Sequence, residues 1–593
     1  MNKLSITLAC LFVIAQSLAQ TPDWQTYYEK LGFLETSRYA ETIAYCKKLA
    51  ESSPWIHYTS FGMSQQGREL PLLIADKNED FNSTSVRSGD HIVLLVEACI
   101  HPGESEGKDA GMMLLRDIAI HKKYENLLDH ATILFIPIFN VDGHERFGPF
   151  NRINQNGPKE MGWRVTATNL NLNRDFLKAD AREMKAWLRL YSEWLPDFFI
   201  DIHTTDGADY QYPLTYAMEF HDNMYYEIGD WQKNVFIEYV ECEMEKAGFP
   251  IFPYIAFRNW FDPRSGIRGG VSPPMISQGY TALHNRPGLL VETHMLKDYK
   301  TRVTATYEIL KQTLEILNTD YEKLNQLVKK ADIFTASEEF RNNPFPVKFS
   351  LSDKDSTMLD FKGFEYEVVE SDLSGGNWFQ YSDKPAIFSI PYFNTPIPEV
   401  TVDLPEAYII PVEWEEVIQR LRLHGIHFNQ LKKSTAIKVK TYKFKDYKWN
   451  NDPYEGRFRM QFEYDIIEDE KIFPAGSAVI PMNQRAAKLI IYILEPKAEG
   501  SYVSWGFFNT IFERKEYVES YVMEEMAREM LAEDPELLEE FELKKMEDPE
   551  FAGNFWSILL WFYSKTPYWD ERKDVYPVGK IFDRKVLDSL ELE

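Results

Sequence analysis

Four apolar runs constrain this chain more than any other feature: residues 91–100 (HIVLLVEACI), 131–140 (ATILFIPIFN), 197–203 (DFFIDIH) and 288–295 (GLLVETHM). None shows the polar alternation of a strand with one face in water, so each reads as a strand buried on both sides. Helical patterns lie between them, at Lys108 to Ile120, Arg182 to Trp194 and Trp231 to Ala247. Buried strands joined through helices predict an α/β fold, a mixed and largely parallel twisted sheet with helices on both faces.

A helical stretch from about Thr301 to Lys330 closes this region, and the texture changes near 335. At 593 residues the chain exceeds what one core usually organises. The expectation is a catalytic domain over 20–335 and an accessory region over 336–593. In the latter, AYIIPV, AIKVKTYKF, RFRMQFEYDI and KLIIYILEP read as strands, giving a β-rich region. Glu516 to Glu550 reads as acidic helices with a solvated face.

Residues 1–19 read as a secretory signal peptide: Lys3, an apolar run from Leu4 to Leu18, and small residues at Ser17 and Ala19. A secreted or periplasmic protein is expected, with little room for a prosegment after Ala19. Lipid attachment at Cys10 is discounted because the apolar run continues past it. The remaining cysteines, Cys46, Cys99 and Cys242, have neither metal-type nor redox-type spacing. A formal charge of −27 argues against nucleic acid as a partner. The apolar run at 555–563 is too short to span a bilayer.

Ligand-type side chains gather where strands end. The first run leads into His101-Pro102-Gly103-Glu104, and the third ends at His203. In open α/β sheets this edge binds ligands. An HxxE pair alone is weak, but two His and one Glu form a donor set of catalytic zinc, which keeps a further position for water. Asp201 shares a strand face with His203 and is either a support for it or a surface carboxylate. Glu292 lies inside a buried run, so it either pairs with a cation such as Arg286 or faces the cleft as a general base. Arg164 and Arg174 suit an oxyanion or a substrate carboxylate, or else surface ion pairs.

Taken in order, FGMSQQGRELPLLIA, HPGESEGKDAG, GWR, NLNRDF, DIHTTDG and LLVETH resemble the motifs of the zinc metallocarboxypeptidases of the carboxypeptidase A type, over roughly residues 24–325. The resemblance implies Zn²⁺ held by His101, Glu104 and His203, with Glu292 as base and later proton donor. It implies that Arg164 polarises the scissile carbonyl and that Asn173 and Arg174 hold a terminal carboxylate of a peptide substrate. The family's substrate-contacting tyrosine has no match at its usual spacing. RGGVSPPMISQGY offers only Tyr280, closer to the base. Two other readings stay open: an amidase or deacylase acting on acylated amino acids or cell-wall peptides, and a non-catalytic peptide-binding protein.

Overall fold

The computed structural model describes residues 23–593 except 90, 206, 260 and 261. The expected signal peptide and Cys10 lie outside the described residues. Among the described residues, nine strands belong to the first part of the chain: β1 (Ile56–Met63), β2 (Glu69–Ala75), β3 (Ile92–Ala98), β4 (Ala131–Ile136), β5 (Phe198–Thr205), β6 (Leu214–Ala217), β7 (Ile251–Pro253), β8 (Ile267–Arg268) and β9 (Gly288–His294). All but β8 form one sheet in the order β1-β2-β4-β3-β5-β9-β6-β7. The centre, β4-β3-β5-β9, is parallel. Antiparallel pairs β1/β2, β2/β4 and β6/β9 and the parallel pair β6/β7 complete the sheet.

The two-sided burial read from sequence has a specific form. Alternate residues of a strand face opposite ways, and in β3 Ile92, Leu94, Val96 and Ala98 enter one core while Val93 and Leu95 enter another. The first core is covered by the helices Glu106–Ala119 and Tyr299–Thr319, the second by Arg182–Trp194 and Ser277–Leu283. Helix Arg182–Trp194 stops where Leu195 turns left-handed, at φ 42°, ahead of Pro196. The Trp231–Ala247 pattern is realised as the helices Tyr226–Trp231 and Glu238–Lys246 joined by a π-helical stretch, Gln232–Ile237.

Beyond the helix Tyr321–Ala336 come β10 (Phe345–Leu351), β11 (Thr357–Glu370), β12 (Asn377–Phe393), β13 (Pro396–Val402), β14 (Ala407–Ile410), β15 (Asn429–Gln430), β16 (Thr435–Trp449), β17 (Met460–Phe473), β18 (Ala478–Pro481) and β19 (Gly579–Ile581). They form a six-stranded sheet, β15-β18-β14-β19-β16-β17, the hairpin β11-β12 and the pair β10-β13. The acidic stretch forms the helices Ser520–Glu533 and Pro535–Glu547. One expectation is corrected: KLIIYILEP is not a strand but lies in the helix Ala487–Leu494. All eight residues of that helix are buried, Lys488 among them, and a helix buried all round shows no periodicity to separate it from a buried strand.

The two parts share material. Trp187, Phe199 and Tyr280 belong to the same core as Leu489, Tyr502 and Trp505. The short strand β8 pairs in parallel with β12 at Tyr392↔Ile267. Among the described residues, no helix is long and apolar enough to cross a membrane.

Candidate active site

The face of the sheet that carries Phe199 into the second core also carries Asp201 and His203, two and four residues further on. Parallel register sets His203 opposite Glu292 and Asp201 opposite Glu97. At the end of β3, Cys99 adopts φ 59°, a conformation unusual for a residue with a Cβ. The turn it starts is closed by Glu104 N donating to His101 O at 2.9 Å. At Gly103 a Cβ would lie 2.7 Å from Cγ of Arg152, so any larger residue would displace that side chain.

His101, Glu104 and His203 converge, all buried. Nδ1 of His203 lies 3.1 Å from Nδ1 of His101 and 3.0 Å from Oε2 of Glu104. Nδ1 of His101 lies 3.3 Å from the same oxygen. Atoms bound tetrahedrally to one zinc at about 2 Å sit roughly 3.3 Å from each other, so the cluster fits that ion. The outer nitrogens are also held. Nε2 of His101 meets Oδ1 of Asn171 at 2.9 Å, and Nε2 of His203 meets Oδ2 of Asp201 at 2.8 Å. Such partners fix ring orientation and tautomer. Thr204 N donates to Glu104 Oε2 at 2.9 Å.

The electrostatics separate the two imidazoles. Burial, with the nearby Arg164 guanidinium, drives His101 well below the usual imidazole range, which favours the neutral form a metal requires. Burial also pulls on His203, but the Asp201 carboxylate outweighs it and the net shift is upward. Behind them Glu97 is pushed well up by burial and then by Asp201.

Around the cluster opens a cavity of about 450 Å³, lined by Arg164, Asn173, Arg174, Thr205, Tyr254, Glu292 and residues 151–155 among others. Every expected site residue except Tyr280 lines it. Tyr280 is fully buried, and its hydroxyl lies 2.9 Å from Nδ1 of His424 in the accessory region. The helix Ser277–Leu283 turns it under the sheet, so it ties two parts of the chain together instead of meeting substrate. Arg286 does not pair with Glu292. It makes a two-pronged ion pair with Asp332, at 3.0 and 2.9 Å. His294 stacks on Tyr210 and meets Asp209 at 2.9 Å, away from the cluster.

Sequence reasoning missed Asn171, Arg152 and Tyr254. Asn171 sits inside a quoted motif, where its spacing to His101 carries no signal. Arg152 contacts Glu104 Oε1, which Arg164 Nη1 approaches at 3.5 Å. Arg152 and Tyr254 lie on segments without regular structure, and only the folded chain brings them to the cleft.

The sequence model described as zinc carboxypeptidase matches residues 42–189, which include His101, Glu104, Arg164 and Arg174. Carboxypeptidase 2 of Trichophyton rubrum is 23% identical over 480 residues, covering 78% of this chain and 82% of its own. Carboxypeptidase 2 of Trichophyton equinum is 23% identical over 479 residues, with the same coverage. Among solved structures, a metallo-carboxypeptidase from Burkholderia cenocepacia aligns at 18% identity and a TM-score of 0.36, over 48% of this chain and 70% of that one. The match over residues 42–189, the long relatives and the ordered motifs point the same way: this chain is similar to the zinc carboxypeptidases, a likeness that supports a metallocarboxypeptidase, a peptide hydrolase.

Proposed function

We propose that the chain is an exported enzyme that removes residues from the C-termini of peptides, with His101, Glu104 and His203 holding zinc. The observation that carries this reading is the convergence of both Nδ1 atoms and a Glu104 oxygen within 3.3 Å, beside a base in register with one of them. Zinc bound there would polarise the scissile carbonyl and make water a stronger acid. Glu292 lines the cavity from the neighbouring strand. It takes the proton of the attacking water and returns it to the leaving nitrogen. Arg164, at the cavity wall, stabilises charge developing on the carbonyl oxygen. Asn173 and Arg174 hold the substrate's α-carboxylate, which limits cleavage to the last peptide bond.

The zinc-loaded protein, incubated with a mixed peptide library and read by mass spectrometry, is expected to yield ladders shortened from the C-terminus. Peptides with amidated C-termini should be spared. Internal cuts, or release of acyl groups in place of residues, would overturn the C-terminal assignment. For export, the mature protein is expected outside the cytoplasm with Gln20 at its N-terminus. N-terminal sequencing that finds the leader intact would remove that part of the proposal.

A further inference from the structure

The accessory region reaches the cavity wall through one turn. Between β16 and β17, residues 450–459 (NNDPYEGRFR) fold back, with Tyr454 N donating to Arg457 O at 2.9 Å and Arg457 N to Tyr454 O at 3.1 Å. This turn lies on the segment 171–180, and three of its residues grip it. The Glu455 carboxylate accepts from Asn171 N at 2.9 Å. The Tyr454 hydroxyl accepts from Arg174 Nε at 3.1 Å. Arg457 donates through Nε and Nη2 to the two oxygens of Asp180, both at 2.7 Å. Two of the gripped residues belong to the site, because Asn171 supports His101 and Arg174 lines the cavity.

Tyr454 is held from behind, its ring stacked on buried Trp505 with centroids 5.9 Å apart and planes 12° from parallel. That stack sets the direction of its hydroxyl toward Arg174. An arginine can meet a carboxylate side-on, through Nε and one terminal nitrogen, or end-on through both terminal nitrogens. With Nε committed to Tyr454 the side-on pair is closed, and a carboxylate is left with the terminal nitrogens, of which Nη1 also donates to Asn173 O.

We propose that Tyr454 is a positioning residue for Arg174: the accessory region aims the arginine and selects an end-on grip on the substrate carboxylate. The inference rests on the assignment of Arg174 as the carboxylate clamp. It gives the C-terminal region a part in substrate selection, and the turn becomes a specificity element supplied from outside the catalytic sheet.

Tyr454→Phe keeps the ring on Trp505 and removes only the oxygen. In the full-length, zinc-loaded protein, acting on an N-acyl dipeptide with a free α-carboxylate, this variant is expected to raise KM about tenfold, the scale of one lost hydrogen bond to a charged group. The kcat should change by less than about twofold, as for a loss of binding felt equally in ground and transition states. In an Arg174→Ala background the same substitution should raise KM no further. If Arg174→Ala raises KM and Tyr454→Phe does not, the positioning role is wrong and the clamp stands. If Arg174→Ala itself leaves KM unchanged, the clamp reading fails and the inference falls with it. A Tyr454→Phe protein with lowered kcat and a lowered melting midpoint would mean packing in place of aiming, which also overturns the proposal.

Discussion

The imidazole cluster stands on the ends of adjacent parallel strands, whereas the Asn173–Arg174 wall stands on a segment with one short 3₁₀ turn that the accessory region presses into place. The cluster's supports, Asp201 and Asn171, lie within the catalytic part of the chain. The wall's supports come from far away: Tyr454, Glu455 and Arg457 on one turn, Arg420 on the helix Glu415–Leu423, and Tyr502 donating to Leu177 O at 3.0 Å. The difference teaches that the candidate metal donors and the Asn173–Arg174 wall draw on different anchors that meet at Asn171, which supports His101 and is itself held by Glu455. Strand ends fix metal donors through the ladder of the sheet, while an irregular segment acquires its rigidity only from what packs on it.

The largest expected effect tests the cluster side. Glu292→Gln should retain the metal and the fold and lose activity by roughly 10² to 10⁴ fold, the scale of a general base. Turnover equal to wild type, measured beside zinc content, would take Glu292 out of the chemistry.

The wall side turns on Asp180, which receives Arg457 and Arg420 and lies 3.4 Å from the buried Lys178. Asp180→Ala leaves three cations without that carboxylate and should cost about 3 kcal/mol in denaturant unfolding, the usual scale for breaking a buried ionic network. Zinc affinity should hold while KM rises. If zinc is lost in parallel, the two sides are not independently anchored.

The same carboxylate predicts a pH limb. Burial raises its pKa, but the Arg457 hydrogen bonds together with the charges of Lys178, Arg457 and Arg420 outweigh this and bring it down to about 2. A folded pKa below the unfolded one gives stability that is present above about pH 4 and lost as pH falls toward 2, roughly 2 kcal/mol in all. Unfolding curves for wild type and Asp180→Ala should therefore draw together across that interval. Curves that stay parallel would deny the pair its electrostatic role.

The smallest effect sharpens the cluster side. Asp201→Asn removes the charge behind His203 and should weaken zinc binding about tenfold, as loss of a support behind a metal ligand generally does. Chelator competition measures it, and an unchanged affinity would reduce Asp201 to packing.

The strands that carry the metal donors were legible because burial on both faces leaves a continuous apolar run, and His101, His203 and Glu292 interrupt or end those runs. Tyr280 was misjudged for the same kind of reason. Spacing along the chain measures distance from the base in residues, not which side of a helix faces the cleft. KLIIYILEP was misjudged because complete burial erases the period that separates helix from strand.

What the sequence determined alone was the sheet, the order of its candidate donors and the resemblance to a family, since these depend on local patterns of burial and short motifs. What only the tertiary structure decided was the wall of the cavity. Asn171 meets His101 across 70 residues and Tyr454 meets Arg174 across 280, and no local preference encodes contacts of that range. They follow from the shared core that seats the accessory region on the catalytic sheet, because close packing fixes where a turn on one part must land on the other.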